Sequence, residues 1–115
     1  MSDTRLLDRL IRVRRVRSRL ALAALGRSQA RQLAESALLE RVAALLGQGS
    51  RAPGPVAANA GASRVTADAM LGRLADDVAR RLAETVLEKR ALAEALGRAR
   101  AAVDAAVDRL AEREA

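Results

Sequence analysis

Leucine and valine recur at steps of three or four residues along the first 46 residues, with one interruption in the middle. Such steps place side chains on one face of an α-helix, which has about 3.6 residues per turn. Ser2 and Asp3 precede the pattern and belong to the residue types that cap helix N-termini. We therefore predict an amphipathic helix over residues 3–46, continuous through Gly26 but loosely packed there. Its apolar row contains Leu6, Leu10, Val13, Val16, Leu20, Leu38, Val42 and Leu45.

A second apolar row follows a stretch that is rich in helix breakers. Residues 47–64 include both prolines of the chain and several glycines, so we predict a flexible linker there, with Gly47 as a left-handed cap of the first helix. Ser63 or Thr66 is expected to cap a second helix over residues 65–113. The apolar row of that helix contains Leu71, Leu74, Val78, Leu82, Val86, Leu92, Leu96, Val103, Val107 and Leu110.

Two apolar rows of similar length, joined by a flexible segment, are typical of an antiparallel hairpin in which each helix covers the row of the other. The predicted fold class is all-α: one domain over residues 1–115, built as an antiparallel two-helix coiled-coil hairpin with a flexible Gly/Pro/Ala-rich turn. We expect Leu6 to lie near Val107 and Leu10 near Val103. The predicted seam between the helices consists of Leu6, Leu10, Val13, Leu20, Leu38, Val42, Leu71, Leu74, Val78, Leu82, Leu96, Val103, Val107 and Leu110.

The composition argues against catalysis. The chain has no Cys, no His and no aromatic residue. Zinc sites and Cys-His or Ser-His pairs need residues that are missing, so we expect no enzymatic activity, no metal site and no cofactor. The longest apolar run covers residues 20–25, far short of the roughly 20 residues that a membrane-spanning helix needs, and we expect no such helix. We therefore expect the protein to function by binding other macromolecules.

Charge indicates where that contact lies. The net charge is +7, and between Arg5 and Arg31 nine arginines face a single acidic residue, Asp8. Such a segment suits an acidic protein surface, nucleic-acid phosphates or anionic lipid; the alternative is a solvated face partly neutralised by the second helix. Nucleic acid and lipid are disfavoured, because no aromatic side chain can stack on bases or anchor in a membrane interface. The predicted partner-binding residues are Arg12, Arg14, Arg15, Arg17 and Arg19.

Both ends of the chain resemble the FliJ/YscO-type stalk proteins of bacterial flagellar and type III export systems. The opening Leu6-Leu7-Asp8-Arg9-Leu10-Ile11-Arg12-Val13-Arg14 is similar to their leucine-rich, arginine-punctuated first turns, and Val107-Asp108-Arg109-Leu110-Ala111-Glu112-Arg113-Glu114 is similar to their closing segment. The resemblance implies an antiparallel two-helix stalk that inserts into a hexameric export ATPase and links it to the export gate. It also implies a cytoplasmic protein located at the inner-membrane export apparatus.

By this resemblance the paired termini, with Leu6, Leu10, Val103, Val107 and Leu110, would enter the ATPase ring, while the arginines of the first helix meet acidic residues of the ATPase. The alternative function is a small basic protein that contacts nucleic-acid phosphates through the first helix. Two hairpins could also pair into a four-helix bundle, because a narrow two-helix seam buries little apolar surface.

Overall fold

The computed structural model describes residues 2–49 and 58–114 of the chain. Two helices account for all of them: α1 spans Ser2–Gly49 and α2 spans Ala58–Glu114. The helices pack against each other, and the fold is an all-α helical hairpin, which confirms the predicted fold class. Of the predicted linker 47–64, residues 50–57 lie outside the described residues, so the flexible turn stays a prediction there.

Both helices extend into the segment that was predicted as linker. Gly47 lies inside α1 and is not its left-handed cap, and Ser63 and Thr66 lie inside α2, so neither caps that helix. Three of the five residues 58–62 are alanine, the strongest helix former, which favours an earlier start of α2. α1 runs without a break through Gly26, as predicted.

Buried and half-buried side chains follow alternating steps of three and four residues along each helix, the heptad repeat of a coiled coil. An average step of about 3.5 residues keeps a row of side chains facing the partner helix as the two helices supercoil. We call these positions the contact row. On α1 it consists of Thr4, Leu7, Ile11, Arg14, Ser18, Ala21, Leu25, Ser28, Gln32, Glu35, Leu39, Val42 and Leu46, and on α2 of Leu71, Ala75, Val78, Leu82, Thr85, Lys89, Leu92, Leu96, Ala99, Val103, Ala106 and Leu110.

The contacts divide the chain into two compact units. Unit 1 combines Met1–Gln29 with Leu87–Ala115, and unit 2 is Ala30–Val86. Each unit contains a segment of α1 and a segment of α2, so each has its own contact between the two helices.

Two polar contacts fix the pairing of the helices in unit 1. Arg14 donates a hydrogen bond to the carbonyl oxygen of Ala102, and Asp3 forms an ion pair with Arg113, both at 2.8 Å. Residue numbers therefore fall along α2 as they rise along α1, which makes the helices antiparallel. Because Arg14 lies level with Ala102, Val103 lies level with Val13. Leu10 is three residues, or about one helical turn, away from that level. The predicted proximities of Leu10 to Val103 and of Leu6 to Val107 are therefore both displaced by about one helical turn.

The predicted seam is only partly the contact row. Val42, Val78 and Leu96 are buried, and Leu10, Leu71, Leu82, Val103 and Leu110 are half-buried. The remaining predicted seam residues are exposed and lie outside the contact row: Leu6, Val13, Leu20, Leu38, Leu74 and Val107. The prediction followed the most apolar row of α1, whereas the row that meets α2 includes Thr4, Arg14 and Ser18.

The buried core of the described residues is small. Its apolar members within the described residues are Ile11, Val42, Val78, Leu96 and Ala106. In unit 1, the contact row brings Ile11 level with Ala106, which has 0% exposure. Pairing of a large with a small side chain allows the helices to approach closely without aromatic residues.

Unit 2 carries a polar contact within its seam. The Thr85 hydroxyl lies 2.9 Å from Glu35 Oε2 and 2.9 Å from the Arg81 carbonyl oxygen, so its single proton is shared between two acceptors. Gln32 Oε1 is buried nearby in the contact row without a hydrogen-bond partner. The contact of Thr85 with Glu35 favours this helix pairing over others, because a shift in register would separate the two side chains.

Buried and exposed apolar residues should differ in their effect on stability. Val78→Ala is expected to lower the free energy of unfolding by about 2 kcal/mol, because Val78 is only 1% exposed and its truncation leaves a cavity. Leu20→Ala, at a residue that is 64% exposed, should change it by less than about 0.5 kcal/mol. Urea denaturation followed by circular dichroism measures both. An equal loss for Leu20→Ala would mean that the more apolar row of α1 is the one that meets α2.

The Glu35 and Thr85 contact predicts a non-additive pair of substitutions. Thr85→Val keeps the side-chain volume but removes the donor to Glu35, and should destabilise the protein by about 1–2 kcal/mol. The double variant Glu35→Leu with Thr85→Val should recover that loss, since it replaces a polar contact with an apolar one. Additive losses in denaturant titrations would contradict this role of the pair.

Candidate functional site

Seven arginines lie at one level of unit 1. Residues 12–19 of α1 contribute Arg12, Arg14, Arg15, Arg17 and Arg19, which are the predicted partner-binding residues. The contact between Arg14 and Ala102 brings residues 98–104 of α2 to the same level, and this segment adds Arg98 and Arg100. We call these seven residues the arginine belt. The two segments together contain one acidic residue, Asp104.

The belt occupies both edges of the seam. On one edge, Arg15 and Arg19 of α1 share a surface groove with Arg100 and Asp104 of α2. On the other edge, a second groove is lined by Arg17 of α1 and Arg98 of α2, together with Arg14, Ala99 and Ala102. Each groove therefore presents guanidinium groups from both helices to solvent.

Arg14 differs from the other members of the belt. It occupies a contact-row position and is half-buried, whereas Arg12, Arg15, Arg17 and Arg19 are exposed. Its Nη1 atom donates to the carbonyl oxygen of Ala102, which retains a second lone pair for this bond. The aliphatic part of an arginine can cover apolar surface while its charged end reaches outward. We therefore expect Arg14 to hold the helices together and the other six to be available to a partner.

The charges of the belt are not neutralised within the hairpin. In residues 2–49 and 58–114, no ion pair connects a belt guanidinium to a carboxylate. The interhelical pair of Asp3 with Arg113 lies at the chain ends and joins side chains that are 66% and 55% exposed, so its contribution to stability is small. Of the residues that the structure describes, Asp104 is the one acidic residue that lines either groove, so the second helix neutralises the belt only in part.

This arrangement suits binding of an anion. Guanidinium groups recognise carboxylates and phosphates through paired hydrogen bonds, and like charges crowded in one groove favour an oppositely charged ligand. Ser18 lies in one groove, but the chain has no His to act as a base beside it. Among the described residues, no three acidic side chains converge to hold a metal ion.

Arg98 and Arg100 were missed by sequence analysis. Residues 66–114 contain nine basic and ten acidic residues, so the net charge of the second helix is close to zero and does not indicate a basic surface. The signal that locates them is the register: once Arg14 is placed level with Ala102, both arginines fall beside the basic segment of α1.

The chain matches no protein-family model, and comparison with curated proteins and with solved structures gives no match. The resemblance to FliJ/YscO-type stalk proteins therefore stays a hypothesis. Within the described residues, neither helix contains a segment apolar enough for its length to cross a lipid bilayer.

Neighbouring arginines of the belt should have different effects on stability. Arg14→Ala removes the hydrogen bond to Ala102 and the buried aliphatic stem, and is expected to lower the free energy of unfolding by about 1–2 kcal/mol. Arg15→Ala, at an exposed position, should change it by less than about 0.5 kcal/mol. Thermal and urea denaturation of the two variants provide the comparison. Equal stabilities would show that Arg14 has no structural role.

Proposed function

We propose that this chain is a non-enzymatic helical-hairpin stalk or adaptor that binds a protein partner through an exposed basic surface. The observation that carries the proposal is the arginine belt, in which both helices present guanidinium groups that lack carboxylate partners among the described residues. Because arginines of both helices line common grooves, an acidic surface can bind several of them at once.

The partner class that we propose is a hexameric export ATPase, which the hairpin couples to the protein export gate. Support comes from the resemblance of residues 6–14 and 107–114 to FliJ/YscO-type stalks and from the antiparallel hairpin, which is the architecture that the resemblance implies. Under this proposal the protein acts in the cytoplasm, at the inner-membrane export apparatus. On α1 the belt begins at Arg12, about 14 Å from Asp3 and the paired chain ends that would enter the ATPase ring, and ends at Arg19, about 24 Å from Asp3, at 1.5 Å per residue.

A second candidate function is binding of nucleic acid. The observation that favours it is the ratio of seven arginines to one carboxylate in the two segments, since phosphate contacts dominate the affinity of nucleic-acid-binding proteins. The absence of aromatic residues weighs against it, because single-stranded bases usually stack on such side chains.

A binding experiment separates the two functions. The fluorescently labelled full-length chain is titrated with purified export ATPases of the flagellar and type III classes, and in parallel with duplex DNA, at two salt concentrations. We expect a stoichiometric complex with an ATPase that persists at physiological salt. Binding that uses six or more phosphates would instead weaken by about 10³–10⁵-fold between about 50 mM and about 200 mM salt.

Matched variants test the part played by the belt. A triple variant of the belt should weaken ATPase binding by about tenfold or more, because it removes three exposed charges: Arg15→Gln, Arg98→Gln and Arg100→Gln. The control Arg41→Gln, Arg64→Gln and Arg90→Gln removes the same charge at exposed positions elsewhere and should leave binding nearly unchanged. Equal losses in both variants, or DNA binding without ATPase binding, would contradict the proposal.

A further inference from the structure

The outer face of α1 in unit 1 carries an apolar row that α2 does not cover. Leu6, Val13 and Leu20 recur every seven residues and are 61%, 47% and 64% exposed. Val16, on the same side of the helix, is 49% exposed. We call Leu6, Val13, Val16 and Leu20 the outer row. Several large apolar side chains on one helix face are unusual for a surface that remains in water.

The outer row has the same period as the contact row. A seven-residue repeat keeps the outer row at a constant angle, roughly a third of a turn around α1 from the contact row at about 100° per residue. The row spans two heptads, about 21 Å from Leu6 to Leu20. A repeat of this kind fits another helix lying alongside α1 better than it fits a flat surface.

Arginines accompany the outer row at the same spacing. Arg5, Arg12 and Arg19 each directly precede Leu6, Val13 and Leu20. The grooves along this face show the combination: one is lined by Arg5, Leu6, Asp8, Arg9 and Arg12, and the next by Arg12, Val13, Val16 and Arg17. Each groove is therefore lined by both apolar side chains and arginines.

We infer that the outer row docks an acidic amphipathic helix of a partner protein. Apolar side chains of that helix pack between Leu6, Val13 and Leu20, while Asp or Glu residues beside them meet Arg5, Arg12 and Arg19. The helix-in-groove mode of recognition uses anchors at such spacing. The inference rests on the proposed function in that it specifies the chemistry of a protein partner. The outer row shares Arg12 and Arg19 with the arginine belt, but its apolar side chains lie outside the grooves of Arg15, Arg98 and Arg100.

Charge distinguishes this occupant from a second copy of the chain. Two outer rows placed together would bring Arg5, Arg12 and Arg19 of both copies into one interface, where like charges repel. The acidic end of α2, residues 104–114 with four acids and two bases, is already paired with α1 of its own copy and its contact row is covered there. An acidic helix has the complementary charge along the whole row.

Synthetic peptides of three heptads test the inference on the full-length chain. The first peptide carries Leu at the heptad a and d positions and Glu at the flanking positions; the second has Lys in place of each Glu. A third peptide has the composition of the first in an order that scatters Leu around the helix. Fluorescence anisotropy should show binding of the first peptide only. Equal binding of the scattered acidic peptide would mean that charge alone attracts it, and would overturn the inference.

Variants of the chain locate the binding site. The outer-row variant combines Leu6→Ser, Val13→Ser and Leu20→Ser. It should bind the first peptide at least about tenfold more weakly than the wild-type chain does. Leu22→Ser, Leu33→Ser and Leu87→Ser form the control, since these residues are also 49–73% exposed but lie away from the outer row. Circular dichroism verifies that both variants keep their helix content. Equal affinity in the outer-row variant and the wild-type chain, or equal loss in the control, would overturn the inference.

Other occupants give recognisable results. If sedimentation shows a dimer that the outer-row variant no longer forms, the row belongs to an interface with a second copy. If the chain binds phosphatidylserine vesicles but not the first peptide, and the variant loses vesicle binding, the row contacts a membrane. Either result overturns the inference. The belt variant Arg15→Gln, Arg98→Gln and Arg100→Gln keeps the outer row intact. If no export ATPase binds but the acidic peptide still binds through Leu6, Val13 and Leu20, the proposed function is rejected and the inference remains supported.

Discussion

The structure depends on the packing of two heptad rows in which small and polar side chains alternate with larger apolar ones. Within unit 1, the register brings Ile11 to about the level of Ala106, and both side chains are buried. Few side chains are fully buried, so the contact row contributes to stability through many small contacts rather than through a central core. The polar contacts of Arg14 with Ala102 and of Glu35 with Thr85 add a preference for one register over its neighbours.

This register has a direct consequence for function. It places Arg98 and Arg100 of α2 beside the basic segment of α1, and thereby assembles the arginine belt from two parts of the sequence that are far apart. If α2 were shifted by one helical turn along α1, Arg100 would move away from Arg15, and the two would no longer line a common groove with Asp104. Packing and charge are thus coupled, because the same contacts that hold the helices together determine which arginines share a groove.

Sequence patterns predict the all-α hairpin and the basic segment well, since helix propensity, apolar spacing and arginine content are local properties. They do not identify which apolar row faces the other helix. On α1 the more apolar row contains Leu6, Val13 and Leu20 and is exposed, while the row that meets α2 contains Thr4 and Ser18. A single helix cannot reveal this choice, because both rows repeat at helical spacing and only the pairing with α2 separates them. Arg98 and Arg100 were missed for the same reason: their proximity to α1 follows from the register and not from the charge of α2.

The register is the central claim, and cysteine pairs test it directly because the chain has no native Cys. Ile11→Cys combined with Ala106→Cys places the two thiols at the level that the contact row defines, whereas Ile11→Cys with Ala102→Cys places them about one turn apart. In dilute protein under mild oxidation, the account predicts that the first pair forms an intrachain disulfide much faster than the second. Faster closure of the second pair, or no intrachain disulfide with either, would contradict it.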